Sequence, residues 1–267
     1  MAPQQPNYNI VWADDFNGDA GSGPDTSKWN IIAHPQSQNS NNELQTYTNS
    51  TANAHLSGEG GLYIIPKHDS ATNTWTSARL EGKSAFSCDA GHKMIFQAEI
   101  RVGYRGNDAQ NKGMWVAFWT LGKNIREGVS WPKCAEWDIL ETATTLGNKN
   151  QGTLHYQDSN GNHNGAHNAQ VTYSQGDYHT WALKVDRTSN DTTNEKLIWY
   201  LDGNPFLTIT GGDIGNGETW GEIAHKAFFP ILNVAVGGDF PGNPDGNTLG
   251  GFESGIQVRY VAVYKST

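Results

Sequence analysis

Apolar residues recur at every second position along much of this chain. In 93–102, Met94, Phe96, Ala98, Ile100 and Val102 fall on one face, and Lys93, Gln97, Glu99 and Arg101 on the other. Successive side chains of a strand point to opposite sides, so this alternation predicts a half-exposed strand. In 114–119 both faces are apolar, with Met114, Val116 and Phe118 against Trp115, Ala117 and Trp119. One face is then core, and the other is either more core or a surface that still favours aromatic rings. Runs at 11–16, 62–65, 179–186, 196–201, 228–236 and 256–264 read as further strands, the last of them closing a sheet. The stretch 201–206 reads as a hairpin about an Asp202-Gly203 turn. Residues 1–9 are expected to be a loose arm, 18–24 and 36–42 loops, and 27–29 a short helical turn. Glu218, Thr219 and Trp220 are placed in a loop reaching a cleft. With no internal repeat, heptad or long amphipathic helix, and with 31 Gly between the apolar runs, the chain reads as all-β.

One stretch resists that alternation. In Glu136-Trp137-Asp138-Ile139-Leu140-Glu141, Glu136 and Asp138 share a face, but Glu141 falls with Trp137 on the core side. An unpaired buried carboxylate is costly. One extra residue at Ile139 or Leu140, a β-bulge, returns Glu141 to the acidic face, and bulges gather beside active sites. By spacing alone, a solvated acidic face is the commoner meaning. Yet Glu and Asp are poor strand formers, and their charges repel, which favours a use for the crowding. Two carboxyls about 5–5.5 Å apart are the arrangement of a retaining glycosidase.

Composition narrows the partners. The 267 residues suit a single domain over 1–267, and a formal net charge of −9 disfavours nucleic acid and anionic membrane. No apolar run is long enough to span a bilayer. The first six residues lack the apolar stretch of a secretory leader. The protein is nonetheless expected to be secreted, with its leader absent from this sequence, because polysaccharides lie outside cells. Asn49 and Asn190 head glycosylation sequons. The two cysteines, Cys88 and Cys134, either close a long loop as a disulfide or are separate buried thiols. His163 and His167 stand four apart, but among too many Gly and Asn to share a helix face, so no metal is expected there.

Glu136-Trp137-Asp138-Ile139-Leu140-Glu141 resembles the bulged signature of glycoside hydrolase family 16, in the form found in laminarinase-type endo-β-1,3-glucanases. The resemblance runs from about Val11 to Tyr264 through seven further stretches in family order. These are Asp14-Asp15-Phe16-Asn17-Gly18, Ser27-Lys28-Trp29-Asn30, Asn41-Asn42-Glu43-Leu44-Gln45 and Ser77-Ala78-Arg79-Leu80, then Trp115-Val116-Ala117-Phe118-Trp119, Gly152-Thr153-Leu154-His155-Tyr156 and Ile231-Leu232-Asn233-Val234-Ala235-Val236-Gly237-Gly238. It implies an antiparallel jelly-roll β-sandwich with a concave substrate cleft. It also implies retaining, endo-acting hydrolysis of internal β-1,3 or mixed β-1,3/1,4 linkages of a β-glucan, by a protein that needs no cofactor and is expected to be a monomer.

By the same resemblance Glu136 is the nucleophile, Glu141 the general acid/base, and Asp138 the residue that orients and ionises Glu136 while its negative charge holds the proton on Glu141. Asn42, Arg79, Trp115, Trp119, His155 and Asn233 match positions near sugar, and Trp220 is added as a cleft residue. β-Galactan hydrolysis and transglycosylation belong to the same family, and a lectin-like binder is the rival of another class. Three departures stand out. Arg259 occupies the place of a calcium-ligating Asp, so no calcium is expected there. Trp137 stands where Ile or Val is usual and is expected to face the core. Asp239-Phe240 replaces a commoner Asn-Trp at the cleft edge.

Overall fold

The computed structural model describes residues 1–103 and 109–267. Two eight-stranded antiparallel sheets stack face to face. The alternating strand Lys93–Val102 lies inside the outer sheet, between Tyr178–Asp186 and the last strand, Ile256–Ser266. The last strand is therefore an interior member rather than the closing edge expected. In the inner sheet Met114–Gly122 lies between Glu136–Ala143 and Phe228–Val236, with Lys149–Gln157 beyond the former and Arg79–Gly82 beyond the latter.

The core fills the space between the sheets. Phe96 of the outer sheet meets Trp137 of the inner one edge-on at 6.0 Å between ring centroids, and Trp137 stacks on Phe228 at 3.7 Å. Trp137 is fully buried, as its alternation predicts, and donates its indole N–H to Ile223 O. Trp199 reaches across the sandwich and donates to Asp138 O at 2.7 Å, tying the acidic strand to the sheet behind it. The Asp202-Gly203 turn forms as read, with positive φ at both residues, which is why glycine suits the second position.

The N-terminal segment is not a loose arm. Tyr8–Asp14 pairs with the last strand, Ala2 is buried, and Tyr264 donates its hydroxyl to Pro3 O. Nor is residue 220 in a loop. Asn216 caps a helix, Gly217–Ala224, by accepting from Thr219 N, and Trp220 lies on its buried side. A third, three-stranded sheet at the cleft rim contains a parallel pair, Gln45–Tyr47 beside Thr74–Ser77, an exception to the antiparallel pattern. Cys88 and Cys134 are both buried free thiols, so the disulfide alternative fails. Arg259 pairs with Glu99 at 3.0 Å and lies over Tyr178.

Candidate active site

The bulge forms at Ile139. Phe118 pairs with Leu140 and Trp119 with Asp138, so residue 139 is the extra one. Ile139 and Leu140 both turn into the core, and Glu141 returns to the cleft. The ladder to the next strand stops at Asp138, opposite Thr153. Beyond it a side chain takes over: Asn150, fully buried, accepts from Glu141 N at 2.7 Å and donates to Ile139 O at 3.1 Å. Its carboxamide satisfies two backbone groups that the bulge would otherwise leave unpaired.

The strand Met114–Gly122 supplies the floor. Met114, Val116 and Phe118 are fully buried, while Trp115, Ala117, Trp119 and Leu121 face the cleft. Two cross-strand rows follow from the register. Glu141, Ala117, Asn233 and Arg79 form one, and Asp138, Trp119, Ile231 and Glu81 the other. The cleft encloses about 340 Å³, lined by all three carboxylates with Arg79, Trp115, Trp119, Trp131 and Asn233.

Most polar atoms in it are held by partners. Trp119 Nε1 donates to Asn233 Oδ1 at 2.7 Å, and Asn233 Nδ2 donates to Tyr47 Oη at 3.1 Å. Arg79 stacks on Trp119 at 4.8 Å and forks onto Glu81 Oε1 at 3.0 and 2.7 Å. Trp115 Nε1 donates to Glu141 Oε1 at 3.2 Å. His155, opposite Glu136 in the register, sets its Nε2 3.4 Å from Asp138 Oδ2 and its Nδ1 2.9 Å from His163 Nε2.

Burial governs the charges. It pushes Glu136 above the usual carboxylate range, the charge of Glu141 adds to this, and Arg79 and the Trp131 indole pull the other way. Glu141 is also raised by burial, against the Trp115 hydrogen bond. Asp138 stands well above its ordinary value, through burial first and then the charges of Glu136 and Glu141. Burial and the neighbouring His163 push His155 down to about 4, so its ring is neutral.

Two substrate positions expected from the sequence fall elsewhere. Trp220 lies outside the cleft, 1% exposed, and donates to Glu195 Oε2 at 2.7 Å within a buried cluster that includes Arg187 and His225. Asn42 is exposed on an adjoining hollow of about 780 Å³ and donates to Asp239 Oδ1 at 2.9 Å. Three residues were not anticipated. Trp131, 45% exposed, stands at the mouth and hydrogen-bonds Glu136; Tyr47 anchors Asn233; Asn150 clamps the bulge. For Asn150 the available signal was an amide near the start of the strand that follows the acidic one.

No family model matches the chain. It is 29% identical to the glucan endo-1,3-beta-glucosidase A1 of Niallia circulans, over 98% of this chain and 39% of that protein. This chain therefore spans well under half the length of that relative. It is 30% identical to the glucan endo-1,3-beta-glucosidase of Cryptopygus antarcticus, over 87% of this chain and 82% of the other. The crystal structure of an endo-1,3-beta-glucanase from Streptomyces sioyaensis matches over the full length of both chains, with a TM-score of 0.88 and 30% identity.

Proposed function

Because the chain belongs to glycoside hydrolase family 16, whose members act with retention, we propose that it is an endo-acting hydrolase of β-1,3-glucan or mixed β-1,3/1,4-glucan. The observation that carries this reading is the bulge at Ile139, which puts Glu136 and Glu141 on one cleft wall. Glu136 attacks the anomeric carbon to form a covalent glycosyl-enzyme, and Glu141 gives its proton to the leaving oxygen. Water then attacks, losing a proton to Glu141 and releasing Glu136. Asp138, on the same wall, orients Glu136 and tunes its ionisation. Arg79, Trp115, Trp119, His155 and Asn233 are the sugar-contacting residues of this reading. Indole faces suit the apolar C–H face of a glucose ring, and the fixed amide of Asn233 suits a hydroxyl. The protein acts as an extracellular monomer and needs no cofactor for this chemistry.

Incubation with laminarin, lichenan and β-1,3-galactan, followed by assay of new reducing ends, tests the reaction and the substrate together. Release from the first two is expected. Binding without release from any of them would favour a lectin-like protein. Glu136→Gln should remove turnover and leave glucan binding, measured by affinity electrophoresis; a variant retaining more than a few per cent of the rate would refute the nucleophile assignment.

A further inference from the structure

Asp138 carries a feature that bond cleavage does not use. The residue is 4% exposed, and its Oδ2 has no hydrogen-bond partner among the described residues. Buried polar atoms are rarely left so. That oxygen faces His155 Nε2 at 3.4 Å. With Glu136 the two make the one group among the described residues whose side chains could hold a metal, their ligand atoms all within 4.8 Å of one another. Around a tetrahedral zinc ion with bonds of about 2.0–2.2 Å, neighbouring ligand atoms stand roughly 3.4 Å apart. The Asp138–His155 pair already has that spacing, and rotation of the Glu136 side chain brings in the third arm.

The other imidazole nitrogen is placed to match. His155 Nδ1 lies 2.9 Å from His163 Nε2. When Nδ1–H donates to His163, the Nε2 lone pair is left facing Asp138. Metal-binding imidazoles are oriented by such an outer partner. These three donors come from two adjacent strands, not from the His163 and His167 pair that sequence spacing brings to mind.

We propose that Glu136, Asp138 and His155 form a reversible binding site for a borderline divalent cation of the zinc or copper type, and that its occupation shuts the cleft. Two carboxylates neutralise the ion, one imidazole selects against magnesium and calcium, which favour oxygen ligands throughout, and the fourth position opens to the cleft. A metal bound to Glu136 takes the lone pair needed for attack on sugar. The binding half of the proposal rests on donor geometry alone; the shutting half rests on the hydrolase reading.

Titration calorimetry with zinc chloride at neutral pH, without chelator, tests the first half. One equivalent should bind, with affinity falling at least tenfold in Glu136→Gln and His155→Gln and by about tenfold in His163→Leu. Asp138→Asn substitutes for any variant that fails to fold, as judged by circular dichroism. No bound zinc, equal affinity in the variants, or equal affinity for magnesium would overturn the site. Laminarin hydrolysis should fall when the site fills and return on adding EDTA. Full activity of the zinc-loaded protein would overturn the shutting half. Because the first readout is bound metal, its failure leaves the hydrolase reading intact, and inactivity toward glucans leaves the metal site intact.

Discussion

Glu136, Asp138 and Glu141 share a wall where each has lost most of its contact with water, and burial raises all three above ordinary carboxyls. The proposed reaction needs Glu136 ionised and Glu141 protonated. Its rate then follows a bell set by the raised pKa of Glu136, about 8, and that of Glu141, about 7. Both limbs are displaced upward, so kcat/KM on laminarin should peak well above pH ~4.5, the range of free carboxyls. The Trp115 hydrogen bond favours ionised Glu141. Removing it with Trp115→Phe should raise the pKa of Glu141 and move the limb it governs, here the acidic one, to higher pH, and a downward shift would contradict the assignment. Alternation separated Trp115 and Trp119 from Met114, Val116 and Phe118, and the family resemblance then made theirs the cleft face. Trp220 was not legible in this way, since a count of tryptophans says nothing about which side a ring faces. The Asn216 cap and the Glu218 that follows it were the overlooked helix signal.

At the scale of the element, the acidic strand is defined by an interruption. Glu141's direction could be read from sequence because an unpaired charge in the core is costly, and that cost pointed to Ile139 or Leu140. What sequence could not supply was the partner that stabilises the interruption. Asn150 lies on a neighbouring strand, and its two hydrogen bonds replace rungs of the ladder. Asn150→Leu leaves both backbone groups unsatisfied and should cost about 2–4 kcal/mol. It should also let Glu141 drift, slowing laminarin hydrolysis by about 100-fold. An aryl β-glucoside with an acidic phenol leaves without a proton, so its rate should fall far less. Equal losses on both substrates would mean that Asn150 supports the fold and not the acid.

At the scale of the molecule, the same carboxyls weigh on stability. A carboxyl whose pKa is raised on folding contributes no penalty while both states are protonated. Between the unfolded pKa near 4 and the raised folded one, the unfolded chain gains by ionising, and stability falls with rising pH. Asp138→Asn should therefore stabilise the protein more at pH 8 than at pH 4. Urea denaturation at both values checks this, and a gain independent of pH would contradict it. The all-β class was legible from the alternation, and the sandwich from the family signature. The pairing of Tyr8–Asp14 with Ile256–Ser266 joins the two ends of the sequence, a contact that local pattern does not reveal. Thr267 N donates to Asn7 O at 3.0 Å, so the first strand begins beside the end of the last. Circular permutation becomes feasible: a short Gly-Ser bridge between the ends, with new ends cut in the exposed turn at Asn190, should leave every strand pairing in place and glucanase activity near that of the uncut order.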